Sequence, residues 1–294
     1  MGMDTCTLCP RMCGVNRAAG EKGYCGMDAT IRAARAALHM WEEPCISGTR
    51  GSGAVFFSGC SLRCIFCQNF EIAEGNCAKE ISGERLSEIF LELQEQGAAN
   101  INLVTAAHYV PAVIESLKKA KAQGMDLPVI YNSSGYERVE TVQMLEEVVD
   151  VWLPDFKYMD SKLAFAYSRA KDYPEVARAA IREMMKAAGT CAYDEDGYIQ
   201  KGVIVRHLIL PGHTKNSIAV LDELYGTYGD DLTISLMNQY TPLPQVWNIP
   251  DLNRRVTKRE YEKVLDHALD RKKLPTIDDM IKADYLKARR VICF

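Results

Sequence analysis

Three cysteines stand at C-x3-C-x2-C in the stretch Gly59-Cys60-Ser61-Leu62-Arg63-Cys64-Ile65-Phe66-Cys67-Gln68-Asn69. Thiols at this spacing on a loop suit three corners of a four-iron, four-sulfur (4Fe-4S) cluster, which takes four ligands. With three thiolates supplied by the loop, one iron is left open to bind a small molecule. That opening turns an electron-transfer centre into a catalytic one. The alternatives are a structural zinc knuckle or three buried thiols. Zinc usually takes four protein ligands and a second cysteine pair. The apolar run Ala54-Val55-Phe56-Phe57 before the loop and Cys-Gln-Asn after it favour the cluster.

A second group, Cys6, Cys9, Cys13 and Cys25, has the spacing C-x2-C-x3-C-x11-C. Cysteines two residues apart can bite one metal, and the distant members complete a tetrahedral set. Zinc and an auxiliary iron–sulfur cluster both fit that spacing, with free thiols as the remaining reading. Residues 1–45 are rich in Cys and Gly and poor in long periodic patterns, so they read as a Cys-rich metal-binding segment ahead of a main unit over 46–294. Such a segment lacks the core to fold alone and would be stabilised by a metal. Cys45, Cys77, Cys191 and Cys293 have no ligand-like spacing and are expected to be core thiols.

The elements that must position the first loop are legible from periodicity. Strands are predicted at 54–57, 101–105, 128–132, 149–155, 202–210 and 232–237. Helical faces follow: Leu86, Ile89, Phe90 and Leu93; Val110, Val113, Ile114 and Leu117; Val139, Val142 and Leu145; a run opened by Pro174 through Ile181 and Met184; Ile218, Leu221 and Leu224. Thr257-Lys-Arg-Glu260 reads as a capping box before the last of them. Six strand–helix units predict a parallel sheet with right-handed crossovers. The number is too small for a closed eight-stranded barrel and enough for a partial (β/α)6 barrel carrying a Cys-rich N-terminal extension.

Chemistry in such folds gathers at the C-terminal ends of the strands. Polar residues follow each predicted strand: Thr105 and His108, Asn132 and Ser133, Asp155 and Lys157, Arg206 and His207, then Asn238 and Gln239. Asn132 and Ser133 suit hydrogen bonds to a ribose or carboxylate. Asp155 and Lys157, two apart on a strand, project to the same face.

These residues carry a resemblance. The cluster loop resembles the signature of the radical S-adenosylmethionine (radical SAM) enzymes. In those enzymes the amino and carboxylate groups of S-adenosylmethionine chelate the open iron. The reduced cluster cleaves the sulfonium, and a 5′-deoxyadenosyl radical abstracts hydrogen from the substrate. Phe66 matches the family's aromatic residue before the third cysteine, whose backbone lies near the adenine. Asp155-Phe-Lys157 with Met159-Asp160, and Arg206 through Pro211-Gly212 to His213, are similar to stretches of pyruvate formate-lyase activating enzymes. The uncharacterised relatives of those enzymes carry blocks like Cys67-Gln68-Asn69 and Asn132-Ser133-Ser134-Gly135-Tyr136, and this likeness covers essentially the whole chain.

The resemblance implies a 4Fe-4S cluster on Cys60, Cys64 and Cys67. It also implies S-adenosylmethionine lined by Phe66, Asn132, Ser133, Asp155, Lys157, Arg206 and His207. An electron donor such as flavodoxin or ferredoxin, and a protein or peptide substrate, follow from the same likeness. The activating enzymes have Gly-Gly-Glu, contacting the amino group of S-adenosylmethionine, where this chain has Thr105-Ala-Ala-His108, so Thr105 or His108 is expected to serve in its place. They have Cys-His-Asn in place of Cys67-Gln68-Asn69.

Composition narrows the classes further. Of 294 residues, 48% are hydrophobic and 25% charged, which suits a globular chain with ample core. The net charge of −4 argues against a nucleic-acid surface. Lys118-Lys119 and Arg289-Arg290 read as solvated helix faces. No apolar stretch approaches a membrane span, and Met-Gly-Met-Asp-Thr-Cys lacks the features of a secretory signal. Eleven cysteines without such a signal point to a reducing cytosol, so a cytoplasmic protein is expected. A non-catalytic iron–sulfur electron carrier is the main alternative function. A zinc hydrolase ranks last, because the five histidines include no paired His-x3-His spacing.

Overall fold

β-Branched and apolar runs that bury both faces, each trailed by a helix-period segment, form a curved parallel sheet wrapped by helices. The computed structural model describes residues 2–272 and 291–293. In chain order the strands are β1 (Ile31–His39), β2 (Ser52–Phe57), β3 (Lys79–Ile81), β4 (Ile101–Val104), β5 (Val129–Ser133), β6 (Val151–Pro154), β7 (Ala192–Tyr193), β8 (Ile199–Leu208), β9 (Thr233–Met237) and β10 (Val291–Cys293). The α-helices are α1 (Pro44–Ser47), α2 (Phe70–Glu74), α3 (Gly83–Glu95), α4 (Val110–Ala122), α5 (Val139–Leu145), α6 (Ser161–Ser168), α7 (Tyr173–Ala188), α8 (Thr214–Tyr228) and α9 (Lys258–Lys272).

The sheet runs β10-β9-β8-β6-β5-β4-β2-β1-β3, parallel from β10 to β2. All six predicted strands are present, and β10 adds a seventh parallel member. The predicted helices are present too, down to the capping box: Glu260 N–H donates to Thr257 Oγ1 at 3.3 Å and Thr257 N–H to Glu260 Oε2 at 2.9 Å. Arg289 and Arg290 lie outside the described residues.

The segment before residue 46 does more than expected. Its residues 31–39 form β1, antiparallel to β2 with Ala37 opposite Ala54, and β3 pairs with its other edge. Residues 31–39 are thus a strand of the same sheet as β2. After β1, the chain turns at the N-terminal end of β2 and places α1 inside the curve of the sheet. There Cys45 and Ile46 pack with Ile130, Val151, Leu153 and Ile204 in a small inner core. The larger core lies between the outer sheet face and the helices. Of the cysteines expected in a core, Cys45 is buried and Cys191 half-buried, but Cys77 is exposed in the loop between α2 and β3.

Candidate active site

The cysteine loop leaves β2 at its C-terminal end through Gly59, whose φ is +90°. A Cβ there would stand 2.8 Å from the Cys25 carbonyl, because the N-terminal segment crosses directly over this turn. Beyond it, Cys60 Sγ accepts from Leu62 N–H at 3.4 Å, and Cys64 Sγ accepts from the Ser168 hydroxyl at 3.1 Å. Ile65 N–H donates to the Tyr167 carbonyl at 2.9 Å, tying the loop to the end of α6. The Phe66 ring is held edge-on between Tyr167 and Tyr240. Gln68 Nε2 donates to the Gln239 carbonyl at 2.9 Å, which anchors the far side of the loop to the segment after β9.

Below this loop the strand ends close a cavity of about 320 Å³. Its walls include Cys60, Cys64, Phe66 and Cys67 from the loop, Thr105 after β4, Asn132 and Ser133 on β5, Asp155 and Lys157 after β6, and Arg206 on β8. Thr105 has φ +62°, an uncommon setting for a β-branched residue, and its N–H donates to the Asn132 carbonyl at 2.9 Å. Gly135 has φ +72°, and a Cβ there would overlap the Asp155 carbonyl, so only glycine lets the loop after β5 pass so close to Asp155.

Charge at the site is organised in two sets. Lys157 Nζ donates to Asp155 Oδ2 at 2.6 Å. Burial works to lower the Lys157 ammonium, but the Asp155 carboxylate and the Cys64 thiol outweigh it and hold the lysine above its ordinary value. Burial raises the Cys64 thiol, with Lys157 opposing, and pushes Cys67 up to about 12. Deeper in, Arg206 Nε and Nη2 donate to the two carboxylate oxygens of Glu43 at 2.8 and 2.6 Å, and Nη2 also donates to Glu42. Asn102 Nδ2 donates to Glu42 Oε1 at 3.1 Å. Burial would lift the Glu43 carboxyl, yet Arg206 keeps it below the carboxylate range. Glu42 and Glu43 arrive from the turn between β1 and α1 and form an acidic floor.

Three thiols on a loop at the C-terminal end of the first parallel strand share one cavity with an ammonium and polar strand ends. Residues 54–224, more than half of the chain, match the Radical SAM superfamily. The chain belongs to that superfamily.

Among relatives of this radical SAM protein, an uncharacterized protein of Methanocaldococcus jannaschii is 29% identical over 270 residues, covering 90% of this chain and 74% of the relative. A radical SAM methyltransferase from Sphaerobacter thermophilus superposes with a TM-score of 0.52 at 13% identity, over 75% of this chain and 64% of that one. The FeFe-hydrogenase maturase HydG superposes with a TM-score of 0.52 at 15% identity, over 80% of this chain and 54% of that one. The chain thus spans about half to two thirds of these solved structures, and the likeness establishes the partial barrel.

Membership in the superfamily implies a 4Fe-4S cluster and S-adenosylmethionine, and the donor set fits both. Burial alone would keep Cys64 and Cys67 protonated, so bound metal would have to supply the positive charge that makes them thiolates. The N–H and O–H donors already aimed at Cys60 Sγ and Cys64 Sγ are the kind that stabilise cluster sulfurs.

Of the residues expected to line S-adenosylmethionine, the structure brings most together and leaves two outside. His207 sits between Arg206 and Leu208 on β8, and the period-two alternation turns it to the outer face with Val203 and Val205. It is buried, bonded through Nδ1 to the Phe156 carbonyl at 2.7 Å, and burial pushes it down to about 4. His108 lies in a turn behind Thr105, bonded through Nε2 to the Ser58 carbonyl at 2.7 Å, and burial pushes it down to about 3. Neither histidine lines the cavity. Arg206 does, but its guanidinium is engaged by Glu42 and Glu43. Those two glutamates, with Trp41 at 83% exposure beside them on the cavity rim, escaped the sequence reading. No motif marks them, since they belong to a turn placed by the pairing of β1.

At the other cysteine group, Cys6, Cys9 and Cys25 are buried and Cys13 is exposed, all as free thiols. Burial pushes Cys9 up to about 12, with the neighbouring thiols of Cys25 and Cys6 adding to it.

Proposed function

We propose that this chain is a radical SAM enzyme of the glycyl-radical-activating kind, taking a hydrogen atom from a glycine of a protein or peptide substrate. The observation that carries the reading is the convergence of the Cys60–Cys67 loop, the Lys157–Asp155 pair and polar strand ends on one cavity. At about 320 Å³ that cavity lies at the small end of ligand pockets, which run from roughly 300 Å³ upward. The cofactor's adenosine and amino-acid parts would take up much of it. A substrate then reaches the site best as a slim protruding segment, which a glycine-containing loop provides.

Cys60, Cys64 and Cys67 would hold the cluster, and Phe66, Thr105, Asn132, Ser133, Asp155 and Lys157 would line S-adenosylmethionine. A cluster held there would supply one-electron reduction, and S-adenosylmethionine beside it would supply the hydrogen-abstracting chemistry. The chain's own part is positional and electrostatic. Ser168 and Leu62 donate to the cluster thiolates. Lys157, kept charged by Asp155, offsets their negative charge and offers a donor to a carboxylate. Thr105 lines the cavity on a backbone that β4 and Asn132 fix. The Phe66 ring, wedged between Tyr167 and Tyr240, gives the loop a rigid apolar wall. A small acidic electron carrier such as flavodoxin, or a ferredoxin, is the reductant that suits this chemistry, and the cytosol is the compartment that suits the free cysteines.

The test is anaerobic. The chain is reconstituted with iron and sulfide, reduced, and given S-adenosylmethionine with a glycine-containing peptide deuterated at the α-carbon. Formation of 5′-deoxyadenosine carrying deuterium is expected. Cluster bound without nucleoside would return the chain to the electron-carrier reading, and nucleoside without deuterium transfer would remove glycine as the hydrogen donor.

A further inference from the structure

We propose that Cys6, Cys9, Cys13 and Cys25 form a second thiolate-ligated metal centre, and that this centre braces the catalytic loop through Arg11. Residues 2–30 contain no helix or strand, only turns and bends. Their backbone bonds nonetheless draw the four cysteines together. Gly14 N–H donates to the Cys6 carbonyl and Cys6 N–H to the Val15 carbonyl, both at 3.0 Å, which pairs the first cysteine with the chain just after the third. Met12 N–H donates to the Cys9 carbonyl at 3.0 Å, closing the turn between the second and third. Gly26 N–H donates to the Gly23 carbonyl at 2.9 Å and folds Cys25 back. A Cβ on Gly23 would stand 2.9 Å from Cys13 Sγ and 3.7 Å from Cys25 Sγ, so two thiols share the space that glycine leaves.

Four thiols from three turns, three of them buried, gather in a segment that has no helix or strand of its own to hold them. A thiolate metal site supplies the missing folding energy. Among the described residues no three His, Cys, Asp or Glu side chains stand at single-ion spacing, and that holds equally for Cys60, Cys64 and Cys67. Zinc and an iron–sulfur cluster both take thiolate ligands, so either would have to draw the four thiols together on binding.

Arg11 lies between Cys9 and Cys13, inside the turn that a metal would fix. Its Nε donates to the Ser61 carbonyl at 2.8 Å, and Nη2 to the Ser168 carbonyl at 2.9 Å. Ser61 belongs to the catalytic loop, and Ser168 gives its hydroxyl to Cys64 Sγ. The guanidinium also stacks over Tyr24, 4.1 Å from the ring centre, next to Cys25. One side chain thus links the turn of one thiol set to both sides of Cys64. Arg11 acts as a positioning residue. The bracing half of the inference rests on Cys60, Cys64 and Cys67 being the catalytic ligands; the metal site does not.

Metal analysis of a chain carrying Cys60→Ala, Cys64→Ala and Cys67→Ala isolates the second site. That variant is expected to keep about four irons with sulfide, or about one zinc, and to lose them when Cys9→Ser or the milder Cys13→Ser is added. Either metal supports the site, and the analysis says which it is. A triple variant with no metal above trace, in a wild type that still holds iron and makes 5′-deoxyadenosine, would overturn the second centre and leave the catalytic reading intact. The converse, metal retained in a chain whose wild type makes no nucleoside, would spare the centre. For the brace, Arg11→Ala is expected to shift the electron paramagnetic resonance signal and potential of the reduced catalytic cluster, with Arg11→Lys recovering part of the shift. An unchanged signal in Arg11→Ala removes the brace.

Discussion

Lys157 decides the charge balance against the loop thiols. It is half-buried, paired to Asp155 at 2.6 Å, and held charged by its neighbours. A charge-assisted hydrogen bond contributes about 1.5–3 kcal/mol. Lys157→Ala is therefore expected to weaken S-adenosylmethionine binding about ten- to a hundredfold while iron content stays at the wild-type level; equal affinities by calorimetry would take Lys157 out of the site. Thr105 is the second residue where local conformation signals use. Its φ of +62° costs a β-branched residue about 1–2 kcal/mol, and glycine in its place would lose about 0.5–1 kcal/mol in chain entropy. Thr105→Gly should accordingly raise the melting temperature slightly while weakening cofactor binding. A lower melting temperature would mean that the hydroxyl contributes more to the fold than the strain takes away.

At the scale of elements, the turn between β1 and α1 matters most. It carries Glu42 and Glu43 under the sheet to Arg206, so the floor of the cavity depends on a segment remote in sequence. Side chains there are nearly sealed, with Glu43 at 2% exposure and Arg206 at 14%. Removing one partner of a buried ion pair typically costs about 3–5 kcal/mol because a charge is left uncompensated. Arg206→Met should destabilise by that order in urea unfolding. A loss below about 1 kcal/mol would place the cluster in solvent. The loop after β5 offers a steric counterpart. Gly135→Ala would force its Cβ into the Asp155 carbonyl and displace the backbone that presents Asp155 and Lys157. Cofactor binding should fall even where the chain still folds, as circular dichroism would check.

For the whole molecule, Glu137 sets a pH dependence. It is buried after β5, shares a hydrogen bond with Tyr131 at 3.4 Å, and burial pushes its carboxyl from 4.5 up to about 8. The folded chain then keeps a proton that the unfolded chain releases above pH 4.5. Folding binds more protons through that window, so this carboxyl's contribution to stability declines as pH rises from about 4.5 to about 8. Glu137→Gln should flatten the decline in urea midpoint over the range; parallel curves for mutant and wild type would refute the assignment.

The sequence by itself determined the barrel strands, the helices behind them and the catalytic thiol loop. Those signals are local: apolar runs and 3.6-residue periods specify elements wherever they are placed, and three cysteines within eight residues put three thiols on one loop before any folding. Tertiary structure decided the rest. β1 is Ile-Arg-Ala-Ala-Arg-Ala-Ala-Leu-His, without a β-branched residue after Ile31, and it becomes a strand because β2 and β3 pair with it on both edges. That pairing delivers Glu42 and Glu43 to Arg206, an ion set no spacing could announce. Strand phase separated Arg206 from His207, since adjacent residues face opposite sides of a sheet and nothing in the dipeptide says which side is the cavity. Local pattern fixes which elements form, while contacts between distant segments fix what those elements enclose.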